Sequence, residues 1–362
     1  MSGAGAVIPI SVAYAALRIP NINAGAIAGG LAAAAFFGQL GNAFFVEAHL
    51  LVQNRRDRAQ YLPSLFVVLS VPALVACVVG MYWMPVWAVG FTYLAGILEV
   101  SRMQSIVRNK WAGEVLPTAL VVGSSVITCV CPSTTVLILV LPLMMCVVIA
   151  LRCNVKVWIP FSAPSKQGWW VVAEAGASSF TQPAMTFVIM SGLGPVEALV
   201  YRLVGSITNL MSPILAYIRV RLLSHRSRAD FIFGVLLVAF ACVAIFVADL
   251  VGLLPYLLGK RWHDVGLIIL ISAVIWKASS LLSVWPYAAL RRHGRARRVF
   301  CIRIVSSVLY FALAWVGMEM KGVAGVFIGF AVAEVVSWAI YQINLVFVER
   351  ASPCQQSVGS AT

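Results

Sequence analysis

Residues 231–254 read FIFGVLLVAFACVAIFVADLVGLL and contain a single charged side chain, Asp249. A helix rises about 1.5 Å per residue, so about 20 apolar residues cross the hydrocarbon core of a bilayer. This stretch therefore predicts a transmembrane helix. The rest of the chain has the same character, because 62% of its 362 residues are hydrophobic and only 10% are charged. A soluble domain needs far more polar surface than this.

About twelve such stretches follow one another, with short loops between them. We place them at residues 4–17, 26–52, 61–79, 82–100, 115–130, 133–151, 169–190, 197–219, 231–254, 265–287, 299–316 and 323–346. The first is shorter than a full span. The predicted fold class is an all-α integral membrane protein with about twelve transmembrane helices.

The longest loop between spans, which contains Pro160 and Pro164, predicts how these helices are grouped. It divides the chain into an N-terminal lobe at 1–152, a linker at 153–168, a C-terminal lobe at 169–348 and a tail at 349–362. Each lobe has six spans, so both enter the membrane in the same orientation. Two parallel lobes suit a transporter that works by alternating access.

The basic residues lie mostly on alternate loops, with the densest run at 291–298. Loops rich in arginine and lysine resist translocation, so this side is predicted to be cytoplasmic, with both termini inside. The net charge of +14 then reflects the basic loops that set the orientation of the helices in the membrane. We expect contact with membrane lipids and no nucleic-acid partner, since no basic domain or stacking platform accompanies the charge.

The residues that usually carry chemistry are scattered. The eight cysteines and four histidines show no spacing typical of a metal site or a disulfide framework, and no hydrolytic or phosphate-cradling motif appears. We therefore predict no catalytic residue, no metal and no cofactor, and a protein that is not an enzyme.

Polar residues inside the spans are the candidates for a binding site, because polar groups in hydrocarbon usually face protein or a water-filled cavity. Their spacing places several on common helix faces. The stripes comprise Gln39 and Asn42 in the second span, Glu174, Ser178, Thr181 and Gln182 in the seventh, and Arg202, Ser206 and Asn209 in the eighth. Two interpretations stay open: the neutral residues either line a cavity or join helices by hydrogen bonds, and Arg202 either lines the cavity or extends to water.

Lys277 and Glu334 lie near the middle of their spans, where a lone charge costs about 3 kcal/mol or more. Each therefore needs a partner. We hypothesise that they pair with each other, either as a static pair or as a pair that responds to protonation or substrate. Glu334 shares its helix face with Ser337, Trp338 and Tyr341.

The second half of the chain contains several motifs in a fixed order. They are MSGLGPVEALVYRLV at 190–204, followed by Asn209 and Ser212–Pro213, then LLGKRW at 257–262, and a hairpin with Gly317, Gly322, Gly325 and Gly329 before Glu334. In this order, over about residues 165–348, the chain resembles polysaccharide exporters of the multidrug/oligosaccharidyl-lipid/polysaccharide (MOP) flippase superfamily.

The resemblance implies a MOP/MATE-like bundle of two six-helix lobes in the bacterial inner membrane. It would flip a lipid-linked oligosaccharide on a polyprenyl diphosphate carrier, as part of lipopolysaccharide or exopolysaccharide synthesis, alongside a glycan polymerase or other export machinery. Arg202 would bind the diphosphate, and Gln39, Asn42, Gln182 and Asn209 would contact sugar hydroxyls. Glu174 would orient a sugar or Arg202.

Three other functions are compatible with the sequence. A multidrug or small-cation exporter of the same superfamily would need a compact acidic site. A membrane-embedded glycan-modifying enzyme would need a large outer loop with catalytic residues, and every predicted outer loop is short. A non-transporting assembly protein would bind other envelope proteins without exporting anything.

Overall fold

The computed structural model of the protein describes residues 4–20, 22–47, 63–80, 82–107, 112–153, 166–212, 214–215, 218, 228–252, 254–255, 262–292 and 295–351. These ranges contain eleven α-helical segments and no strand. The prediction of an all-α protein is confirmed.

The first six helices correspond to the first six predicted spans. Their bounds are α1 Ala4–Arg18, α2 Ala24–Asn42, α3 Pro63–Val79, α4 Met84–Val107, α5 Val115–Val130 and α6 Leu141–Arg152. Two of them continue as π-helical turns, Ala43–Glu47 after α2 and Val136–Val140 before α6. α1 has 15 residues, so the prediction of a short first helix is confirmed.

The remaining helices follow the later spans. Their bounds are α7 Lys166–Gly192, α8 Pro195–Thr208, α9 Arg228–Leu250 and α10 Trp262–Arg292, and the last segment is Ala296–Ala351. That last segment is a hairpin, because Lys321 (φ −142°) and Gly322 (φ 59°) leave the helical conformation. We refer to its two arms as α11, residues 296–320, and α12, residues 323–351.

In the part of the chain that the structure describes, five helical stretches are long and apolar enough to cross a membrane. They are Ala24–Phe45, Met84–Arg102, Phe231–Leu250, Gly266–Arg291 and the hairpin Arg297–Glu349. Four shorter apolar helices accompany them, among them Val115–Val130. A multi-pass membrane protein accounts for this pattern, since such helices would expose large apolar surfaces to water.

The chain forms two compact units. Unit 1 comprises Met1–Ile207 and Leu254–Val265, and unit 2 comprises Thr208–Leu253 and Gly266–Thr362. This grouping places α7 and α8 in the same unit as α1–α6. The division into two six-helix lobes at residues 153–168 remains a prediction, and most of that linker lies outside the described residues.

Helices in unit 1 approach closely where one of them carries glycine. Gly30 of α2 lies against Ala88 of α4, where an added methyl carbon would be 3.1 Å from the alanine Cβ. Gly90 of α4 faces the Ala73 carbonyl of α3, and a methyl there would be 2.6 Å from that oxygen. Small residues at such crossings permit close packing of membrane helices.

A buried ion pair joins the ends of three helices in unit 1. The side chains of Glu114 and Arg152 are only 4% and 3% exposed, and Arg152 Nη2 lies 2.9 Å from Glu114 Oε2. Arg152 Nε also contacts both carboxylate oxygens, at 3.1 and 3.2 Å. Arg152 Nη1 donates to the Leu98 carbonyl at 3.3 Å. This pair connects α4, α5 and α6.

Glycines also set the packing of the hairpin in unit 2. A methyl group on Gly317 would overlap the carbonyl group of Gly325, and a methyl on Gly325 would overlap that of Gly317. Gly329 stands in the same relation to the Leu313 carbonyl. These glycines therefore let the two helices approach closely before Glu334. The contacts fix the antiparallel register of α11 and α12.

Candidate functional site

Arg202 lies on α8, a helix that begins with Pro195 and carries Glu197 in its first turn. Both residues favour the start of a helix, because proline suits the first helical position and a carboxylate interacts favourably with the positive end of the helix dipole. The Arg202 side chain is buried, at 7% exposure, and its Nη2 donates to the Leu31 carbonyl of α2 at 3.0 Å. Within the described part of the chain, its buried Nε has no hydrogen-bond partner. Arg202 is thus held against α2 with one donor unused.

The middle of α2 is a polar junction. The Gly30 carbonyl accepts a hydrogen bond from Thr92 Oγ1 of α4 at 3.2 Å, and the next carbonyl, that of Leu31, accepts from Arg202. Side chains from two other helices therefore meet successive carbonyl groups of α2. This junction fixes the height of Arg202 along the helix.

α2 and α7 pack side by side in antiparallel register. Gly25 lies near Met190, Phe36 meets Phe180 edge to face at 6.0 Å, and Gly176 lies near Leu40. Extending this register places Asn42, predicted to contact sugar hydroxyls, and Glu174, predicted to orient a sugar or Arg202, at the same level. This level is at one end of the α2–α7 pair.

The predicted stripe on α2 ends at a change of helix type. The Oδ1 atom of Asn42 is buried and has no hydrogen-bond partner within the described residues, whereas Gln39 is exposed. The π-helical turn Ala43–Glu47 begins directly after Asn42. Turns of this kind are frequently found at functional sites.

The predicted residues of unit 1 do not all lie at one level. Gln39 is eight residues beyond Leu31 on α2, about 12 Å further along the axis. Gln182 is also eight residues from Glu174 on α7, and Pro183 lies next to it without ending the helix. Arg202 thus stands at one level and the Asn42–Glu174 pair at another. The predicted polar residues of α2, α7 and α8 are therefore spread along the helix axes and do not form one compact cluster.

Asn209 belongs to unit 2, where it begins a 3₁₀ turn, Asn209–Met211, after α8. Its Oδ1 accepts a hydrogen bond from Ser212 Oγ at 3.3 Å, and that hydroxyl oxygen lies 3.5 Å from Lys277 Nζ, which donates to it. Lys277 is 9% exposed, and its ammonium group lies 4.5 Å from the centre of the Trp276 ring. Two predicted site residues therefore share one serine.

Glu334 is 8% exposed and accepts a hydrogen bond from Ser283 Oγ at 2.8 Å. The Tyr310 hydroxyl is also within hydrogen-bonding reach of this carboxylate. Ser283 lies six residues beyond Lys277 on α10, about 9 Å along the axis. The contacts of Lys277 and Glu334 are thus at different levels, and the pairing of the two residues remains a prediction.

Sequence reasoning missed Ser283 and Tyr310 as partners of Glu334. Both lie on helix faces that carry further polar residues at a spacing of three or four, so the same search for stripes could have found them. The motif at 257–262 lies almost wholly outside the described residues. In the described ranges, no group of three or more His, Cys, Asp or Glu side chains could hold a metal ion.

Comparison with known proteins establishes the fold. No protein-family model and no curated protein sequence matches the chain. Among solved structures, a multidrug resistance MATE family transporter of the MOP superfamily in its inward-facing conformation matches with a TM-score of 0.60 and 13% identity, over 97% of this chain and 95% of that one. The outward-facing conformation of such a transporter matches with a TM-score of 0.55 and 12% identity, over 96% of both chains.

The lipid II flippase MurJ, in an inward closed conformation, also matches. Its TM-score is 0.55 and its identity 10%, over 96% of this chain and 86% of that one. At such identities the likeness establishes the fold alone. The predicted MOP/MATE-like fold is therefore confirmed, and the substrate is a separate question.

Proposed function

We propose that this protein flips a lipid-linked oligosaccharide, or a polysaccharide repeat unit, across the bacterial cytoplasmic membrane by alternating access. The fold supports membrane transport as the class of function. The observation that carries the choice of substrate is Arg202, a cation buried within a helix bundle whose Nε has no partner in the described part of the chain. An anionic ligand would satisfy that donor.

The chemistry of the substrate matches the residues available. A diphosphate needs charge-assisted hydrogen bonds, which arginine provides in a fixed planar arrangement. The bond from Arg202 Nη2 to the Leu31 carbonyl orients the guanidinium and leaves Nε for a phosphate oxygen. The polyprenyl tail would stay in the lipid, where it is soluble.

The other predicted residues would act on the sugars. Asn42 offers a buried Oδ1 that could accept from a sugar hydroxyl, and Glu174 lies at its level on α7. Gln39 and Gln182 continue the polar stripe from that level toward Arg202. Asn209 would act through the Ser212 and Lys277 contacts, while Lys277 and Glu334 would form a structural or coupling element. In this proposal both termini are cytoplasmic, and a glycan polymerase or export machinery receives the product.

A multidrug or small-cation exporter is the second candidate, because the solved structures with this fold include multidrug transporters. Such a protein would bind a cation through carboxylates, and Glu174 and Glu334 are available within the helices. Arg202 argues against this candidate, since a buried guanidinium repels a cationic ligand.

The test is to delete the gene in its own bacterium and to determine on which leaflet the lipid-linked oligosaccharide accumulates. Plasmids would supply the wild type, Arg202→Ala or Arg298→Ala, the last being an exposed arginine whose loss changes the net charge equally. Loss of a hydrogen bond to a charged group weakens binding by roughly ten- to a hundredfold, so Arg202→Ala should lose most flipping.

The supporting result is inner-leaflet accumulation that the wild type and Arg298→Ala reverse and Arg202→Ala does not, at equal protein levels in the membrane. Full complementation by Arg202→Ala would remove Arg202 from the proposal. Normal outer-leaflet glycan in the deletion strain, together with increased sensitivity to cationic drugs, would favour the exporter.

A further inference from the structure

Three helices of unit 2 carry polar residues with the same spacing. On each helix the second residue follows the first by three positions and the third follows by seven, which places them on one helix face. The residues are Ser280, Ser283 and Tyr287 on α10, Arg303, Ser306 and Tyr310 on α11, and Glu334, Ser337 and Tyr341 on α12.

The register of the hairpin sorts these residues into layers. The contacts of Gly317 with Gly325 and of Leu313 with Gly329 align α11 and α12 in opposite directions. Continuing from them, Tyr310 comes level with Glu334, Ser306 with Ser337, and Arg303 with Tyr341. The contacts of Ser283 with Glu334 and of Tyr287 with Tyr341 add α10 to the first and last layers.

In the first layer the Glu334 carboxylate has hydrogen-bond partners. Glu334 accepts from Ser283 at 2.8 Å and lies within hydrogen-bonding reach of Tyr310. In the middle layer Ser306 and Ser337 are each 1% exposed, and neither hydroxyl has a hydrogen-bond partner in the described residues. This serine layer separates the carboxylate from the arginine.

The last layer, which we call the tyrosine–arginine layer, consists of Tyr287, Arg303 and Tyr341. The two tyrosine rings meet edge to face at 6.0 Å, and the Arg291 guanidinium lies 5.2 Å from the centre of the Tyr287 ring. Arg303 is half-buried, with Tyr287, Tyr310, Tyr341 and Glu334 near enough to act on it electrostatically.

Arg303 is not directly paired with the acid. The layers of Arg303 and Glu334 are seven residues apart along α11 and α12, about 10 Å. Neither of the direct ion pairs between described residues, Arg102–Glu99 and Arg152–Glu114, involves Arg303. The tyrosine–arginine layer therefore presents a cation beside phenol hydroxyls, with no carboxylate of the described residues in direct contact with it.

We propose that the tyrosine–arginine layer binds the phosphate of an anionic glycerophospholipid headgroup. The planar fork of Arg303 fits phosphate oxygens, tyrosine hydroxyls add neutral donors, and Arg291 adds a second cation. The site is independent of Arg202, which belongs to unit 1.

The surroundings of Arg303 favour a lipid over a free phosphate ion. The next turn of α11 exposes the apolar residues Ile304, Val305 and Val308, at 40%, 55% and 65%, a surface that would lie against acyl chains. The same end of α11 carries the exposed arginines Arg295, Arg297 and Arg298. A headgroup at this level would have its phosphate at Arg303 and its chains along the exposed face. This is the side of the membrane that the basic loops predict to be cytoplasmic, where anionic lipids attract such clusters.

The experiment is native mass spectrometry of the full-length protein in detergent, titrated separately with phosphatidylglycerol, phosphatidylcholine and inorganic phosphate. The variant is Arg303→Gln, and the control is Arg297→Gln, an exposed arginine on the same helix with the same change of charge. Arg303→Gln should weaken phosphatidylglycerol binding by about tenfold or more, as expected for lost hydrogen bonds to a charged group. The control should change it by less than about twofold, consistent with weak exposed charges.

Phosphatidylcholine should bind more weakly than phosphatidylglycerol to every variant except Arg303→Gln, and inorganic phosphate should not compete at millimolar concentration. Equal phosphatidylglycerol binding by the wild type and Arg303→Gln would overturn the proposal. So would binding of inorganic phosphate that depends on Arg303, since the site would then take a free anion.

If Arg303→Gln does not fold, Tyr341→Phe replaces it, because that change keeps the buried ring and removes only the hydroxyl. It should weaken phosphatidylglycerol binding by about threefold, the effect of one neutral hydrogen bond. Wild-type affinity in this variant would contradict the proposal. Arg202→Ala should bind phosphatidylglycerol as the wild type does. If the lipid-binding proposal fails, the proposed flippase function is therefore unaffected. If the flippase function fails, the lipid-binding proposal is equally unaffected.

Discussion

Unit 1 and unit 2 each hold an arginine and a glutamate away from water, but they arrange them differently. In unit 1, Arg152 and Glu114 are in direct contact through several hydrogen bonds, and Leu98 accepts a further one. In unit 2, Arg303 and Glu334 are separated by a layer containing Ser306 and Ser337. The first arrangement pairs the two charges directly, and in the second neither charge is the direct partner of the other.

The difference indicates two uses of buried charge. A direct pair fixes the ends of α4, α5 and α6, and removing one partner leaves an uncompensated buried charge. In a separated pair, each charge is stabilised by its own neighbouring residues and not by the other charge. We therefore expect the two regions to respond very differently to single substitutions.

The largest effect should come from Glu114→Gln. This change leaves Arg152 buried without its carboxylate, and breaking a buried pair lowers the free energy of unfolding by about 3–5 kcal/mol. Thermal unfolding of the purified protein in detergent would measure the loss. Glu319→Gln, at an exposed position, is the control and should have little effect. A Glu114→Gln protein as stable as the control would show that the Arg152 contact is not a structural anchor.

A smaller loss should follow from Gly325→Ala. The added methyl overlaps the Gly317 carbonyl, so the arms of the hairpin must separate, and overpacking of this kind costs about 1–3 kcal/mol. The separation should also disturb the layers that depend on the register of α11 and α12. Gly123→Ala is the matched control, since a methyl there meets open space and alanine favours a helix. Equal unfolding temperatures for the two variants would argue against the close crossing.

The smallest effects should distinguish two serines of unit 2. Ser283→Ala removes a donor to the Glu334 carboxylate and should lower the free energy of unfolding by about 1–3 kcal/mol. Ser306→Ala removes a buried hydroxyl that has no partner among the described residues, so its effect should be near zero or slightly stabilising. The same unfolding measurement applies to both. A larger loss for Ser306→Ala than for Ser283→Ala would mean that the Ser306 hydroxyl forms a hydrogen bond.

The positions of the helices could be predicted from the sequence because hydrophobic length is a local property. The stretch at 231–254 is apolar throughout, and α9 occupies residues 228–250 of the same region. The hairpin was predictable for a different reason, since glycines at 317, 325 and 329 are what close helix packing requires. Both predictions can be made without knowing which helices pack against each other.

Pairings between helices could not be predicted in this way. Glu114 and Arg152 are 38 residues apart, and sequence alone does not say that the start of α5 meets the end of α6. Arg303 falls within the predicted span at 299–316, but its place beside Tyr287 and Tyr341 depends on packing between helices. Of the three residues predicted to share a helix face with Glu334, Ser337 and Tyr341 are buried and Trp338 is exposed. The partners Ser283 and Tyr310 depend on packing that only the structure provides.

The tight connection at Lys321 and Gly322 also bears on how the protein reaches the membrane. Two residues are too few to cross a bilayer or to follow its surface for any distance. α11 and α12 must therefore insert together, as one helical hairpin, with the exposed Glu319 and Lys321 carried across at its tip. Arg298 and Glu349, at the far ends of the two arms, then emerge on the same side of the membrane, whichever side that is. The orientation of the last helix is thus coupled during biogenesis to that of its predecessor, and the charges at both ends of the hairpin act on one inserting unit.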